Sequence, residues 1–366
     1  MSSTASGSAY ARAGVDTGQA DQAVAALVGV LSTIDIGRPS RAALKSGHYA
    51  NVLDLGAGLG LALSTDGVGS KVIVAEQLER YDTIGIDCIA MNVNDVICVG
   101  AEPLAVLDYI AVESAQPEML RQVAVGLKRG AEDAGVEIPG GELAQLPELI
   151  RGHPSPRGFD LVGACFGTVR LDQMVTGDRI EPGDVVIGVP SSGVHSNGYT
   201  LARTVLPDLA ECPPELGGAS VGDALLEPTV IYVRAVVELL RSDVDVRGLA
   251  HITSGGLLNL LRLEADVGYL IDAPLPPGPI FDLIAARGDT PEAELLEVFN
   301  MGCGFCCVVP AAAAAEAIAM LEARHPGSRV IGSATDKAGL VELPGSGLAG
   351  RKDQGFSDVG RGQAAG

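Results

Sequence analysis

The 366-residue chain has no run of roughly 18 uncharged apolar residues, the minimum for a membrane-crossing helix. Its opening stretch, MSSTASGSAYARAG, lacks the apolar core of a signal peptide. Both absences lead to the expectation of a cytoplasmic protein with no membrane partner. Basic residues are scarce, with 25 Lys and Arg against 46 Asp and Glu, for a formal charge of −21. No basic stripe is available to neutralise a phosphate backbone, so nucleic acid is not an expected partner. A small anionic substrate remains compatible, because glycine loops, a few cations and a metal ion outweigh a distant negative field.

Cysteine pairing signals are also missing. The seven cysteines, at positions 88, 98, 165, 212, 303, 306 and 307, are odd in number and mostly in apolar surroundings, as reduced core thiols are. CGFC at Cys303 to Cys306 has a redox or half-zinc spacing, but no second Cys pair or His pair accompanies it, and CGFCCVVP reads as a buried strand. No Gly-Lys-Ser/Thr P-loop ending appears after any glycine loop.

What is present is a 47% apolar chain long enough for two cores. Short apolar runs alternate with helical patterns, which predicts an α/β or α+β protein. A helix is expected from about Ile84 to Val99, and another capped by Ser114, carrying Leu120, Val123, Leu127, Ala131 and Ala134 on one face and stopped by Gly135. FDLVGACFGTVRL and DVVIGVP read as strands. The expected organisation is a loose segment at 1–20, an N-terminal domain at 21–170, a C-terminal α/β domain at 171–343, and a disordered tail at 344–366.

Four stretches carry chemistry. In STDGVGSK, Gly67 and Gly69 allow a sharp bend, Asp66 offers oxygen to a hard cation, and Lys71 offers a point charge to phosphate. Alone, the pattern fits a hairpin turn with a surface Asp and Lys equally well. In GIDCIAMNVNDVICVGAEP, Asp87, Met91 and Asp95 share one helix face, with Asn94 adjacent, inside an otherwise apolar helix. Buried carboxylates demand partners or a metal; a structural hydrogen-bond role suits Asp87 or Asn92, and function is favoured for Asp95. Glu142 follows two glycines in IPGGELAQLP, where a ligand-facing carboxylate and a surface loop residue are both possible.

The fourth stretch, VVIGVPSSGVHSNGYTLARTVL, runs from a strand through Ser191, Ser192, Gly193, His195, Ser196, Asn197 and Gly198 into a helix. Strand, small-residue loop and helix N-terminus together make an anion cradle. His195 is a candidate phosphate donor or acid/base group, with a structural role as the alternative. Two loops of similar character contain Thr253, Ser254, Gly255 and Gly256, and Asn300 and Gly302.

In this order, YARAGVD, STDGVGSK, DTIGIDCIAMNVNDVICVGAEPLAVLDY, GGELAQLP, GFDLVGACFGTV, IEPGDVVIGVPSSGVHSNGYTL, HITSGG and FNMGCG resemble one family: the aminoimidazole ribonucleotide synthetases, or phosphoribosylformylglycinamidine cyclo-ligases. The resemblance covers about residues 10 to 305. It implies a two-domain α/β (α+β) fold of mixed sheets packed with helices, whose N-terminal domains pair into a homodimer through a β-barrel-like interface. It implies ATP- and magnesium-dependent closure of formylglycinamidine ribonucleotide to aminoimidazole ribonucleotide, releasing ADP and phosphate. Asp66, Asp95 and Glu142 would hold magnesium, with Gly67, Gly69, Lys71 and Asn94 beside the nucleotide. Ser191, Ser192, Gly193, His195, Ser196, Asn197, Thr253, Gly255 and Gly256 would meet the substrate, and His195, Lys71 and Asp95 would carry catalysis.

The chain departs from the family pattern at Leu143, Gln145 and Ser254, and before the first motif, where SGHYANVLDLGAG replaces a longer glycine-rich stretch. Thiamine monophosphate kinase and other ATP-using relatives share the scaffold, but the kinase would need paired aspartates where Asp66 stands alone. A non-catalytic nucleotide-binding relative would bind ATP without releasing ADP.

Overall fold

A computed structural model describes residues 17–44 and 47–359. The YARAGVD motif, most of the 1–20 segment and residues 360–366 lie outside the described residues. Helix α1 (Thr17–Leu31) leads into a five-stranded sheet built from β1 (Asn51–Gly56), β2 (Leu59–Gly67), β3 (Glu102–Val112), β4 (Gly141–Gln145) and β5 (Phe159–Arg170). The spatial order is β1-β2-β5-β3-β4, antiparallel except for the parallel β3–β4 pair.

One face of this sheet is covered by α3 (Ile84–Ile97), which follows α2 (Lys71–Leu78) and packs in turn on α4 (Pro117–Ala134). Close approach explains why α3 is apolar almost all round. A Cβ on Gly163 of β5 would stand 2.5 Å from Asn92 Nδ2, and one on Gly85 of α3 would stand 2.0 Å from Leu127 N, so only glycine lets these layers meet. Helix α4 starts two residues later than expected: Gln116 is the N-cap and Pro117 takes the first turn, where its fixed φ suits the helix, so Ser114 is not the cap. It ends at Gly135, φ +75°, as the pattern predicts.

The opposite sheet face is uncovered. In-register residues of neighbouring strands point to the same side, which puts Leu59, Leu107 and Tyr109, all 39–42% exposed, on this face. Leu61, Leu63, Val162, Ala164 and Phe166 lie among them, half-buried.

The second sheet contains β6 (Val185–Pro190), β7 (Gly248–His251), β8 (Gly268–Leu270), β9 (Cys303–Val309), β10 (Arg329–Thr335), β11 (Val341–Leu343), β12 (Leu348–Arg351) and β13 (Gly355–Asp358), in the order β13-β12-β11-β8-β10-β6-β9-β7. Its helices are α5 (Tyr199–Val205), α6 (Val221–Leu226), α7 (Val233–Leu240), α8 (Pro279–Gly288), α9 (Glu292–Val298) and α10 (Ala314–Glu322). Strand β9 lies between β6 and β7 and is buried throughout, so CGFC is core strand, with Cys303 Sγ 3.6 Å from Cys306 Sγ.

The tail corrects the sequence expectation. Instead of disorder after residue 343, β12 and β13 form an antiparallel hairpin that extends the second sheet. Leu348 and Phe356 are buried, and the Phe356 amide donates to Glu297 Oε1 at 2.6 Å. Two apolar anchors among glycines and charges are too few to register as a period. Among the described residues no helix is long and apolar enough to cross a membrane.

Candidate active site

Strand β2 carries Asp66 near its end, and the chain then turns through Gly69, φ +72°, into α2. Asn92 clips this turn from α3. Its Nδ2 donates to Asp66 O at 3.0 Å, and its Oδ1 accepts from Asp66 N at 2.9 Å. Asp66 is in register with Gly163, so its side chain points to the α3 side of the sheet. The Gly67 amide donates to Asp66 Oδ1 at 2.7 Å.

Three further polar residues of α3, Asp87, Asn94 and Asp95, reach the C-terminal half of the chain. Asn94 Nδ2 donates to Val230 O at 2.8 Å while its Oδ1 accepts from Tyr232 N at 3.0 Å, so both ends of that amide hold backbone. Asp87 Oδ1 accepts from Thr229 N at 2.8 Å, Thr229 Oγ1 at 2.7 Å and Ser196 Oγ at 3.2 Å. Asp95 Oδ1 lies 2.9 Å from His251 Nδ1 on β7. A carboxylate only accepts, so Nδ1 carries the proton here; His251 Nε2 is buried without a partner.

The loop after β6 bends through His195 at φ +61° and Gly198 at φ +76° before α5 begins. Asn300 braces it: Oδ1 accepts from Ser191 Oγ at 2.8 Å, and Nδ2 donates to Gly193 O at 2.8 Å. Ser254, a departure from the family pattern, donates to Asn197 Oδ1 at 3.1 Å and so links this loop to the Thr253–Gly256 turn. In that turn the Gly256 amide donates to Thr253 O at 3.0 Å and the Gly255 amide to Glu297 O at 2.7 Å.

His195 is buried. The Ser192 amide donates to its Nε2 at 3.3 Å, which leaves the proton of the neutral ring on Nδ1. Burial, then the positive charges of His251 and Lys71, hold its pKa well below the usual histidine value. A neutral ring with Nδ1–H offers a hydrogen-bond donor rather than a cation.

Electrostatics single out Asp66. Burial first, then the Asp95 carboxylate, push its pKa up to about 6, against the relief given by the Gly67 amide and His251. A buried carboxyl whose proton affinity is raised by a second carboxylate fits a hard divalent cation, which would take the place of the proton. Glu142 is elsewhere in the chain. It pairs with Tyr109 and so faces the uncovered side, while β5 and β3 stand between β4 and β2, three strand spacings or roughly 14 Å. Among the described residues no three metal-type side chains cluster.

Lys71 also differs from its expected placement towards phosphate. It is fully buried, and its ammonium is taken by Asp87 Oδ1 at 2.9 Å, Glu227 O at 2.6 Å and His195 O at 3.1 Å. Burial, opposed by Asp87, lowers its pKa. Ser191, Ser192 and Gly193 instead line a cavity of about 530 Å³ with Glu227, Gly302 and Arg329, on the C-terminal half. The loop therefore has two sides: Ser191–Gly193 border the cavity, and His195–Asn197 meet the N-terminal half and the Thr253–Gly256 turn.

Sequence reasoning missed His251 and Thr229 as site-building residues. The His of HITSGG was visible at the end of a short apolar run, but its partner Asp95 is 156 positions away. Nothing local marks Thr229.

A family model described as AIR synthase related protein, N-terminal domain, matches residues 47–169, and the corresponding C-terminal domain model matches 181–342. The chain belongs to the AIR synthase-related family. It is 47% identical over 339 residues to the phosphoribosylformylglycinamidine cyclo-ligase of Methanothermobacter thermautotrophicus, covering 91% of this chain and 96% of that one. It is 42% identical to the protein of that name from Methanocaldococcus jannaschii, covering 95% and 97%. The fold of this family member is also that of a ThiL protein complexed with AMPPCP and TMP (TM-score 0.60, 16% identity, 88% and 92% covered). Hydrogenase maturation protein HypE in complex with ATP is a further match (TM-score 0.57, 20% identity, 80% and 83% covered).

Proposed function

We propose that the chain is a phosphoribosylformylglycinamidine cyclo-ligase. It closes formylglycinamidine ribonucleotide to 5-aminoimidazole ribonucleotide at the expense of ATP in purine biosynthesis, as a cytoplasmic homodimer. The observation that carries this reading is the meeting of Asp66 and Asp95 with His251 across the domain junction, where Lys71 also holds the His195 carbonyl. The names of its relatives supply the reaction.

An amide-type oxygen is a poor leaving group. ATP transfers its terminal phosphoryl group to the formyl oxygen and leaves as ADP; the ring-forming nitrogen attacks the activated carbon, loses a proton, and phosphate departs with the former formyl oxygen. Little covalent chemistry falls to the protein, so positioning and charge neutralisation carry the rate. Magnesium, when bound, would neutralise the ATP phosphates, and Asp66 and Asp95 are the residues to hold it. Gly67 and Gly69 let backbone approach the nucleotide, with Asn94 fixing the helix beside it. His195 donates from Nδ1 to an oxygen of the substrate, among Ser191, Ser192, Gly193, Ser196 and Asn197, with Thr253, Gly255 and Gly256 beyond them.

The homodimer reading is supported by the uncovered apolar face bearing Leu59, Leu107 and Tyr109. Glu142 lies on that face, so pairing would bring it to the interface rather than to the Asp66 of its own chain. The experiment is a direct assay: purified protein, ATP, magnesium and formylglycinamidine ribonucleotide should yield aminoimidazole ribonucleotide and ADP in equal amounts. Turnover on thiamine monophosphate with no such product overturns the reading.

A further inference from the structure

Lys71 and Asp87 form an ion pair with no exposed surface on either side chain, in a part of the molecule where neither touches an open cleft. A lysine has three N–H donors, and all three are used. Apart from each other, the partners of this pair are Ser196, Glu227, Thr229 and the main chain of His195, all on the C-terminal half. The pair therefore grips the loop at the His195 carbonyl and at the next residue, Ser196. That residue holds the left-handed φ of +61°, a costly conformation for a non-glycine residue that persists only where its surroundings impose it. A buried ion pair contributes little net stability, yet removing one partner leaves the other charge buried and uncompensated.

We propose that Lys71 and Asp87 are positioning residues, whose buried pair fixes the His195 main chain and so aims its ring, and that Lys71 makes no contact with ATP phosphate. The proposal rests on the reading that His195 borders the reacting centre.

The test uses the full-length protein with Lys71→Met and the milder Thr229→Val, which removes one hydroxyl donor to Asp87. At saturating substrates kcat should fall about 100-fold in Lys71→Met, and roughly 5- to 10-fold in Thr229→Val, with Thr229→Ser near the parent. The Kd for a non-hydrolysable ATP analogue with magnesium should change by less than about threefold in either. Lys71→Met combined with His195→Asn should be no slower than His195→Asn alone, because both act through one ring. A tenfold weaker analogue in Lys71→Met, or a double variant that loses the product of the two single effects, overturns the proposal.

If Lys71→Met does not fold, Thr229→Val decides through nitrogen-15 NMR of the histidine rings, assigned with His195→Asn. The parent should show His195 held with its proton on Nδ1, and Thr229→Val should show tautomer exchange; an unchanged signal overturns the proposal. That readout is independent of turnover. A parent that makes no aminoimidazole ribonucleotide but responds in NMR refutes the proposed function and leaves the positioning role standing.

Discussion

His251 Nδ1 lies 2.9 Å from Asp95 Oδ1, joining β7 of the C-terminal half to α3 of the N-terminal half at the candidate metal site. His251 is fully buried and Asp95 is 17% exposed, so the histidine orients a carboxylate that keeps part of its surface open. Asp95→Asn should lower turnover by at least about 100-fold while changing stability by no more than about 2 kcal/mol. His251→Phe should cost about 10- to 100-fold through loss of orientation alone. Initial rates with unfolding curves measure both, and a near-parental rate in Asp95→Asn would show that Asp95 holds no metal.

Asp66 sets a pH dependence in the protein free of metal and nucleotide. Its native pKa of about 6 is above the ordinary 3.8, so between these values the folded carboxyl keeps a proton that the unfolded chain has released. The folded state then binds more protons, and stability from this group is full at acid pH and lost as pH rises through 6. Asp66→Asn should therefore be more stable than the parent at pH 7 to 8, by up to about 3 kcal/mol before solvent screening reduces it. The gap should close towards about pH 4. Urea unfolding across that range measures it; a constant gap would mean that Asp66 is not perturbed.

Gly163→Ala tests the clip. Its Cβ would come within 2.5 Å of Asn92 Nδ2, which holds the Asp66 backbone. The expected outcome is destabilisation by about 1–3 kcal/mol and weaker binding of magnesium with nucleotide by calorimetry. Unchanged binding would separate the clip from the site.

Leu107→Glu tests the pairing face. A charge on the uncovered sheet should shift sedimentation from dimer to monomer and reduce turnover, leaving helix content unchanged. A variant that sediments as the parent does would move the interface elsewhere.

Much of the fold was readable from local pattern. Helix α3 extends to Ile97 against an expected end near Val99, and α4 stops at Gly135 because left-handed backbone there suits glycine. The strands over Phe159–Arg170 and Val185–Pro190 follow from their apolar runs. The β12–β13 hairpin did not, since only Leu348 and Phe356 anchor it against elements formed far earlier in the chain.

The ordered motifs by themselves determined the family and the identities of the candidate groups, because backbone bends need glycine and cation sites need carboxylates wherever the chain runs. Partnership was decided only by the tertiary structure. Lys71 and Asp66 sit five positions apart, yet one is sealed by Asp87 and the His195 carbonyl while the other faces Asp95. Glu142, expected beside Asp66, stands three strand spacings away on the opposite face. Desolvation and charge pairing depend on what folding brings within a few ångströms, and those distances are set by the sheet register and the domain junction rather than by spacing along the chain.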